Sequence, residues 1–342
     1  MMRGDYMNPK YKNAVNDCVK IIAFVLAFLL VLEGLSLSVL SGRNAAKFSS
    51  KLRDAYSFVD EPKDTIQIAC VGNSNLYSGF VPFTLWDEYG YTATVCASPK
   101  QSVVQSLGLI EKVYENQTPD LVLVETDMFY DNYPQSDRKK GSLRPSKLSL
   151  SSVMDNAKPD YFEDGVRNVF SAFVFHNRWK KAAAHNEGSF IQAHGYRYSK
   201  TVYTIKAVNY MLTDTDSEDI AGKRISEIDK LVSYCRKKGS TVVFVTMPSV
   251  NGWNSERHNA VAAYTKKNGI DYIDLNNNYG EVGIDMQNAF RDAGTHLNYD
   301  SAKKVTVYLG FLIKKTGLLE SRTNDPKYSY WTQDSENFKK SI

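Results

Sequence analysis

Short apolar runs alternate with longer amphipathic stretches over most of the chain, and these two periods predict strands separated by helices. Residues 66–71, 92–96, 121–124, 241–246 and 272–275 are short runs rich in apolar and β-branched side chains. They are set off by turn residues such as Glu88-Tyr89-Gly90, Thr118-Pro119 and Asn268-Gly269. Helical spacing fills the gaps at 103–115, 221–238, 254–267 and 300–312. Five strands separated by helices predict an α/β domain, a three-layer sandwich around a five-stranded parallel sheet. Ligands of such sheets bind beyond the carboxyl ends of the strands.

The pattern breaks in two places. Residues 21–41 are almost wholly apolar, and at ~1.5 Å per residue they are long enough to cross a ~30 Å hydrocarbon layer. An uncleaved transmembrane anchor is the expectation. A signal peptide is the rival, because the strictly apolar residues 21–32 have signal length and Glu33 interrupts the run. No small-residue cleavage pattern stands out, and Glu33 can snorkel to an interface, which favours the anchor. Flanking charge leaves the orientation open: Arg3, Lys10, Lys12 and Lys20 precede the span, and Arg43, Lys47, Lys51 and Arg53 follow it. With the N-terminus inside, or with a cleaved signal, the bulk of the chain lies outside the cytoplasm.

The second break, residues 131–219, lies between the third and fourth strands and is far too long for a loop, so it is expected to carry its own helices. It holds a basic run (Arg138, Lys139, Lys140, Arg144, Lys147) and many aromatics, among them Tyr161, Phe162, Phe170, Phe173, Phe175, Trp179 and Tyr196. A solvated loop over a small core and a groove for a polymeric or anionic substrate both fit. The expected plan is a cytoplasmic N-terminus (1–20), a transmembrane anchor (21–41), a polar linker (42–64) and an α/β domain (65–342) with a helical insertion at about 131–219.

Composition narrows function more than fold. The 342 residues are 43% hydrophobic and 12% aromatic, enough to bury a full core. A net charge of +4, spread along the chain, gives no reason to expect nucleic acid as a partner. Cys18, Cys70, Cys96 and Cys235 show no metal-ligand spacing, so neither metal nor cofactor is expected. Cys70 and Cys96 fall on predicted strands and read as buried free thiols.

One constellation carries chemistry. Ser74 stands at the end of the first strand in Gly72-Asn73-Ser74-Asn75, where a turn exposes its hydroxyl and can aim backbone N–H groups at an oxyanion. A lone serine in such a turn is as readily conformational. The weight comes from His296, which follows the last strand and should reach the same sheet edge, with Asp292 nearby. The other histidines, His176, His185, His194 and His258, read as surface or packing residues. A nucleotide-binding α/β protein is disfavoured, because Gly72 belongs to no Gly-rich phosphate loop.

These residues resemble the SGNH (GDSL-like) hydrolase superfamily. Gly72-Asn73-Ser74 is similar to its first block, and Asp292 with His296-Leu297-Asn298 to its last. The N-terminal apolar segment, the stretch SNLYSGFVP (74–82) and the late His-Leu-Asn are similar, more specifically, to membrane-anchored relatives of the D-alanyl-transfer protein of teichoic-acid modification, which are linked to O-acylation of envelope polymers. The resemblance spans about residues 65–315.

It implies a flavodoxin-like sheet of SGNH hydrolase type, with Ser74 as nucleophile, His296 as base and Asp292 as its orienting carboxylate. The implied partners are an acyl donor, a cell-envelope glycopolymer and a multi-spanning membrane acyltransferase, with localisation at the cell membrane as a single-pass protein. The family spaces its Asp and His three positions apart, and here they are four apart, which leaves Asp300 as another candidate to orient the imidazole. The family's oxyanion glycine and asparagine are replaced by Ala97-Ser98-Pro99-Lys100-Gln101 and Glu125-Thr126-Asp127. Asn73, Ser98, Gln101, Thr126 and Asp127 are then the candidate oxyanion and substrate-binding residues. A backbone N–H near Ser98 can donate, and an ionised Asp127 would oppose an oxyanion. The function expected is a serine-dependent O-acyltransferase or esterase acting at the cell envelope. The alternative is a non-catalytic envelope-polymer-binding or assembly protein on a degenerate version of the fold.

Overall fold

Five parallel strands form one sheet in the order β2-β1-β3-β4-β5. The computed structural model describes residues 9–35, 54–130, 193–206, 209–212 and 215–342. The strands are β1 (Ile68–Gly72), β2 (Ala93–Ala97), β3 (Leu121–Glu125), β4 (Thr241–Thr246) and β5 (Asp271–Asp274), each within two residues of its predicted position. The helices described are α1 (Pro9–Leu35), α2 (Ser74–Gly79), α3 (Pro82–Tyr89), α4 (Val103–Val113), α5 (Gly222–Lys237), α6 (Ser255–Asn268), α7 (Tyr279–Val282), α8 (Tyr299–Thr316) and α9 (Ser329–Ser341).

Every residue of β1, β2 and β3 is buried, as parallel strands covered on both faces require. The pleat sends alternate side chains to opposite layers. Ile68 and Cys70 of β1, Val95 of β2 and Leu121 and Leu123 of β3 join one core with Leu85 and Trp86 of α3, Val305 and Leu309 of α8, and Trp331 and Phe338 of α9. Helices α4 and α5 pack against each other in the second layer through buried residues such as Leu109, Ile110, Ile228 and Leu231. Cys70 and Cys96 are buried free thiols. Burial pushes the Cys70 thiol well up and that of Cys96 to about 12, which leaves both unreactive.

Two segments depart from the predicted plan. The polar segment before β1 is already part of the sheet domain by Tyr56 and Phe58, both buried, and the Ser57 hydroxyl lies 3.2 Å from that of Thr94 on β2. The basic run, His176, His185 and every aromatic named for the insertion except Tyr196 lie outside the described residues. The described part of the insertion, up to Asp219, is irregular chain rather than helix. It returns to the sheet, where the His194 carbonyl accepts from Val95 N at 2.8 Å. The His194 ring is fully buried against Trp331, 3.9 Å between centroids, and its Nδ1 is 3.1 Å from Glu61. Farther on, Tyr203 N donates to Phe290 O, laying this arm beside the loop that carries His296.

Helix α1 forms a separate unit. Its 27 residues span about 40 Å at 1.5 Å per residue, and the window Asn13–Leu32, with mean hydropathy 2.3, is long and apolar enough to cross a membrane.

Candidate active site

In the order β2-β1-β3-β4-β5 the chain turns from β1 towards β2 and from β3 towards β4, which opens a crevice at the carboxyl ends of β1 and β3. Ser74 and Asp127 follow those two strands. The register that pairs Val71 with Val124 brings Gly72 alongside Glu125, and a Cβ on Gly72 would fall 2.5 Å from the Glu125 Cβ. Only glycine allows this approach. Asn73 then stays extended (φ −101°, ψ −152°), and its side-chain oxygen accepts from Asn75 N at 2.9 Å, which caps α2. Its amide nitrogen donates to Asp127 Oδ2 at 2.7 Å. Ser74, the first residue of α2, is half-buried at the rim of the crevice.

The second component is the loop between Phe290 and α8. Asp292 grips His296 with both oxygens: Oδ1 accepts from the Thr295 and His296 backbone N–H groups at 2.9 and 3.0 Å, and Oδ2 pairs with His296 Nδ1. The four-residue spacing is absorbed at Gly294, whose φ of +105° few other residues tolerate. Burial pulls the Asp292 carboxyl upward, but the two N–H groups and the imidazole outweigh it and hold Asp292 below its ordinary value. Asp300, the other carboxylate open from sequence, instead pairs with Lys303 at 3.3 Å on α8. With Nδ1 held by Asp292, Nε2 is the imidazole nitrogen left to handle a proton. It is buried and makes no hydrogen bond among the described residues.

A relay ties the two components together. Ser78 Oγ donates to Ser74 O at 2.7 Å and accepts from Arg291 Nη2 at 2.7 Å, while Arg291 N donates to His296 O at 2.9 Å. Movement of the His296 loop is thereby coupled to the helix that begins with Ser74.

The other candidates divide. Asp127 joins the site: it is half-buried, and its carboxyl lies close enough to His296 to feel its charge. Burial pushes the Asp127 carboxyl above its ordinary value, against the Asn73 hydrogen bond and the charges of Arg257 and His296. Thr126, Ser98 and Gln101 turn inward. The Thr126 hydroxyl pairs with that of Thr246. The Ser98 hydroxyl donates to Gln101 Oε1 at 3.0 Å, and the Gln101 amide donates to Cys96 O and Ser106 Oγ, both at 2.9 Å. These bonds hold the β2–α4 connection and leave the Gln101 side chain committed to it.

Sequence reasoning missed the support beneath the His296 loop. Asp274, at the end of β5, pairs with His258 Nδ1 at 2.7 Å and accepts from Trp253 Nε1 at 2.8 Å and from the Asn276 N–H and side-chain amide at 2.9 and 2.8 Å. Asn276 Oδ1 in turn accepts from Ser249 N at 2.8 Å. This network fixes the turn after β4, whose Val250 N donates to Gly294 O at 2.8 Å and whose Asn251 amide donates to Ala293 O. No local pattern marks Asp274 and His258 as partners, because they come from a strand and the preceding helix.

No family model matches the chain, and no curated protein matches it. Among solved structures, a provisionally designated acylhydrolase from Bacteroides fragilis NCTC 9343 overlays with 13% identity and a TM-score of 0.38, covering 78% of this chain and 96% of its own. A GDSL-like lipase from Bacteroides thetaiotaomicron VPI-5482 overlays with 12% identity and a TM-score of 0.38, covering 79% of this chain and 99% of its own.

Proposed function

We propose that the protein is a serine-dependent acyl esterase or O-acyltransferase of SGNH type, anchored by α1, with its sheet domain outside the cytoplasm and a cell-envelope polysaccharide or related polymer as substrate. The observation that carries the catalytic part is the imidazole of His296. Asp292 holds it by Nδ1, its Nε2 makes no hydrogen bond among the described residues, and Arg291 and Ser78 link its loop to the helix that Ser74 begins.

In the first half-reaction Ser74 Oγ bonds to the acyl carbon as its proton passes to His296 Nε2. The alkoxide leaving group departs with that proton, which leaves an acyl-serine. In the second, water or a polymer hydroxyl gives its proton to Nε2 and takes the acyl group, and Ser74 regains its proton. Membrane tethering suits a donor or acceptor held at the membrane surface. A multi-spanning acyltransferase is the partner this reading requires if the reaction is transfer, since acyl groups must then reach the outer face.

A non-catalytic polymer-binding protein is the second reading, favoured by the inward turn of Ser98 and Gln101. A serine-directed fluorophosphonate separates the two. Labelling of wild type, lost in Ser74→Ala and His296→Ala, is the expected result. An unlabelled wild type, beside a serine hydrolase that labels, would leave only the binding protein.

A further inference from the structure

Resting on that catalytic reading, we propose that Asp127 stabilises the oxyanion as a neutral carboxylic acid, donating a hydrogen bond from Oδ1. The residue is the second after β3, on the crevice shared with Asn73 and Ser74. Its two oxygens are not equivalent. Oδ2 already accepts from the Asn73 amide at 2.7 Å, whereas no hydrogen bond among the described residues occupies Oδ1. A proton on this carboxyl therefore belongs on Oδ1.

The groups around the carboxyl come from every neighbouring element. Asn73 faces it from the β1–α2 turn, Gly252 lies against it from the turn after β4 beside Ser249, and the charges of Arg257 on α6 and His296 on the C-terminal loop reach it. A Cβ on Gly252 would come 3.3 Å from Asp127 Oδ1 and 2.8 Å from Ser249 Oγ, so the turn closes on the carboxyl only because that side chain is absent.

Arg257, whose charge reaches the carboxyl, is already engaged. Its guanidinium bonds the Glu218 carboxylate at 2.8 and 3.3 Å and the Gly252 carbonyl at 2.7 Å. On the other side, the Asp127 N–H donates to the carboxyl of the fully buried Glu125 at 3.1 Å, which places a second acid beside the first. Partial burial raises the Asp127 carboxyl despite Asn73, Arg257 and His296, which favours the neutral form, and a neutral carboxylic acid can act as a donor.

The chemistry demands the neutral form. As Ser74 Oγ bonds to the carbonyl carbon and its proton moves to His296 Nε2, the carbonyl electron pair shifts onto oxygen. A carboxylate at Asp127 would repel that charge, whereas the acid stabilises it and keeps its own proton throughout. Activity must then fall as pH rises through the Asp127 ionisation, because the active form is the protonated one.

The test compares full-length wild type, Asp127→Asn and Asp127→Ala in detergent, following p-nitrophenyl acetate hydrolysis against pH, with Ser74→Ala and fluorophosphonate labelling alongside. Wild type should lose activity on the alkaline side. Asp127→Asn, whose amide donates at every pH, should keep activity within about tenfold and lose the alkaline fall, while Asp127→Ala should drop by about 10²–10³, mainly in kcat. An alkaline fall that persists in Asp127→Asn, an asparagine variant as impaired as the alanine one, or an alanine variant within about threefold of wild type would each overturn the assignment. If Ser74→Ala abolishes hydrolysis and one of those results appears, the oxyanion assignment alone fails. If Ser74→Ala hydrolyses as wild type does and no label attaches, the catalytic reading fails and takes Asp127 with it.

Discussion

Asp292 does two jobs with one carboxylate: it ties the loop through the Thr295 and His296 N–H groups, and it fixes the imidazole through Nδ1. Asp292→Asn keeps the size but replaces an oxygen acceptor with an amide donor, which favours the wrong imidazole tautomer. We expect kcat for an activated ester to fall by about 10²–10⁴ with KM little changed. Because the folded protein holds Asp292 below its ordinary value, its carboxylate stabilises the fold at neutral pH, and that contribution is lost as pH falls through the folded-state value. The melting-temperature gap between wild type and Asp292→Asn should accordingly be full near neutrality and close in acid. A gap independent of pH would show that Asp292 contributes no charge-dependent stability.

Between elements, the site depends on how closely β1 approaches β3 and on how firmly the helical layer holds α2. Gly72→Ala pushes a methyl into Glu125 and should cost about 1–3 kcal/mol in urea unfolding, and the displaced Asn73 and Ser74 should slow fluorophosphonate labelling as well. Trp331 offers the contrast. Fully buried on α9 against His194, Phe83 and Trp86, it supports the layer away from the crevice. Trp331→Ala should cost about 3–5 kcal/mol while the folded fraction labels at the wild-type rate. Equal labelling losses in the two variants would mean that the β1–β3 approach has no special role in presenting Ser74.

For the molecule as a whole, location turns on α1, the proposed anchor. An uncleaved apolar helix of this length predicts that the full chain stays with the membrane through alkaline carbonate extraction and retains its N-terminal residues on sequencing. Protease added outside intact cells should reach the sheet domain. Release by carbonate, or an N-terminus beginning beyond residue 41, would replace the anchor with a signal peptide.

Hydrophobic period alone was enough to place all five strands within two residues, because burial on both faces writes a continuous apolar run into each central strand. Ser74, Asp292 and His296 were legible as candidates for a related reason: each lies in a short local motif at a strand end or beside a helix cap. The partners of these residues were not legible. The choice of Asp292 over Asp300, the Asn73–Asp127 bond, the inward turn of Gln101 and the Asp274–His258 support all depend on contacts set by strand order and loop conformation. Periodicity is a property of neighbours along the chain. The electrostatics of Asp127 arise from groups on other elements, and only folding brings those groups together.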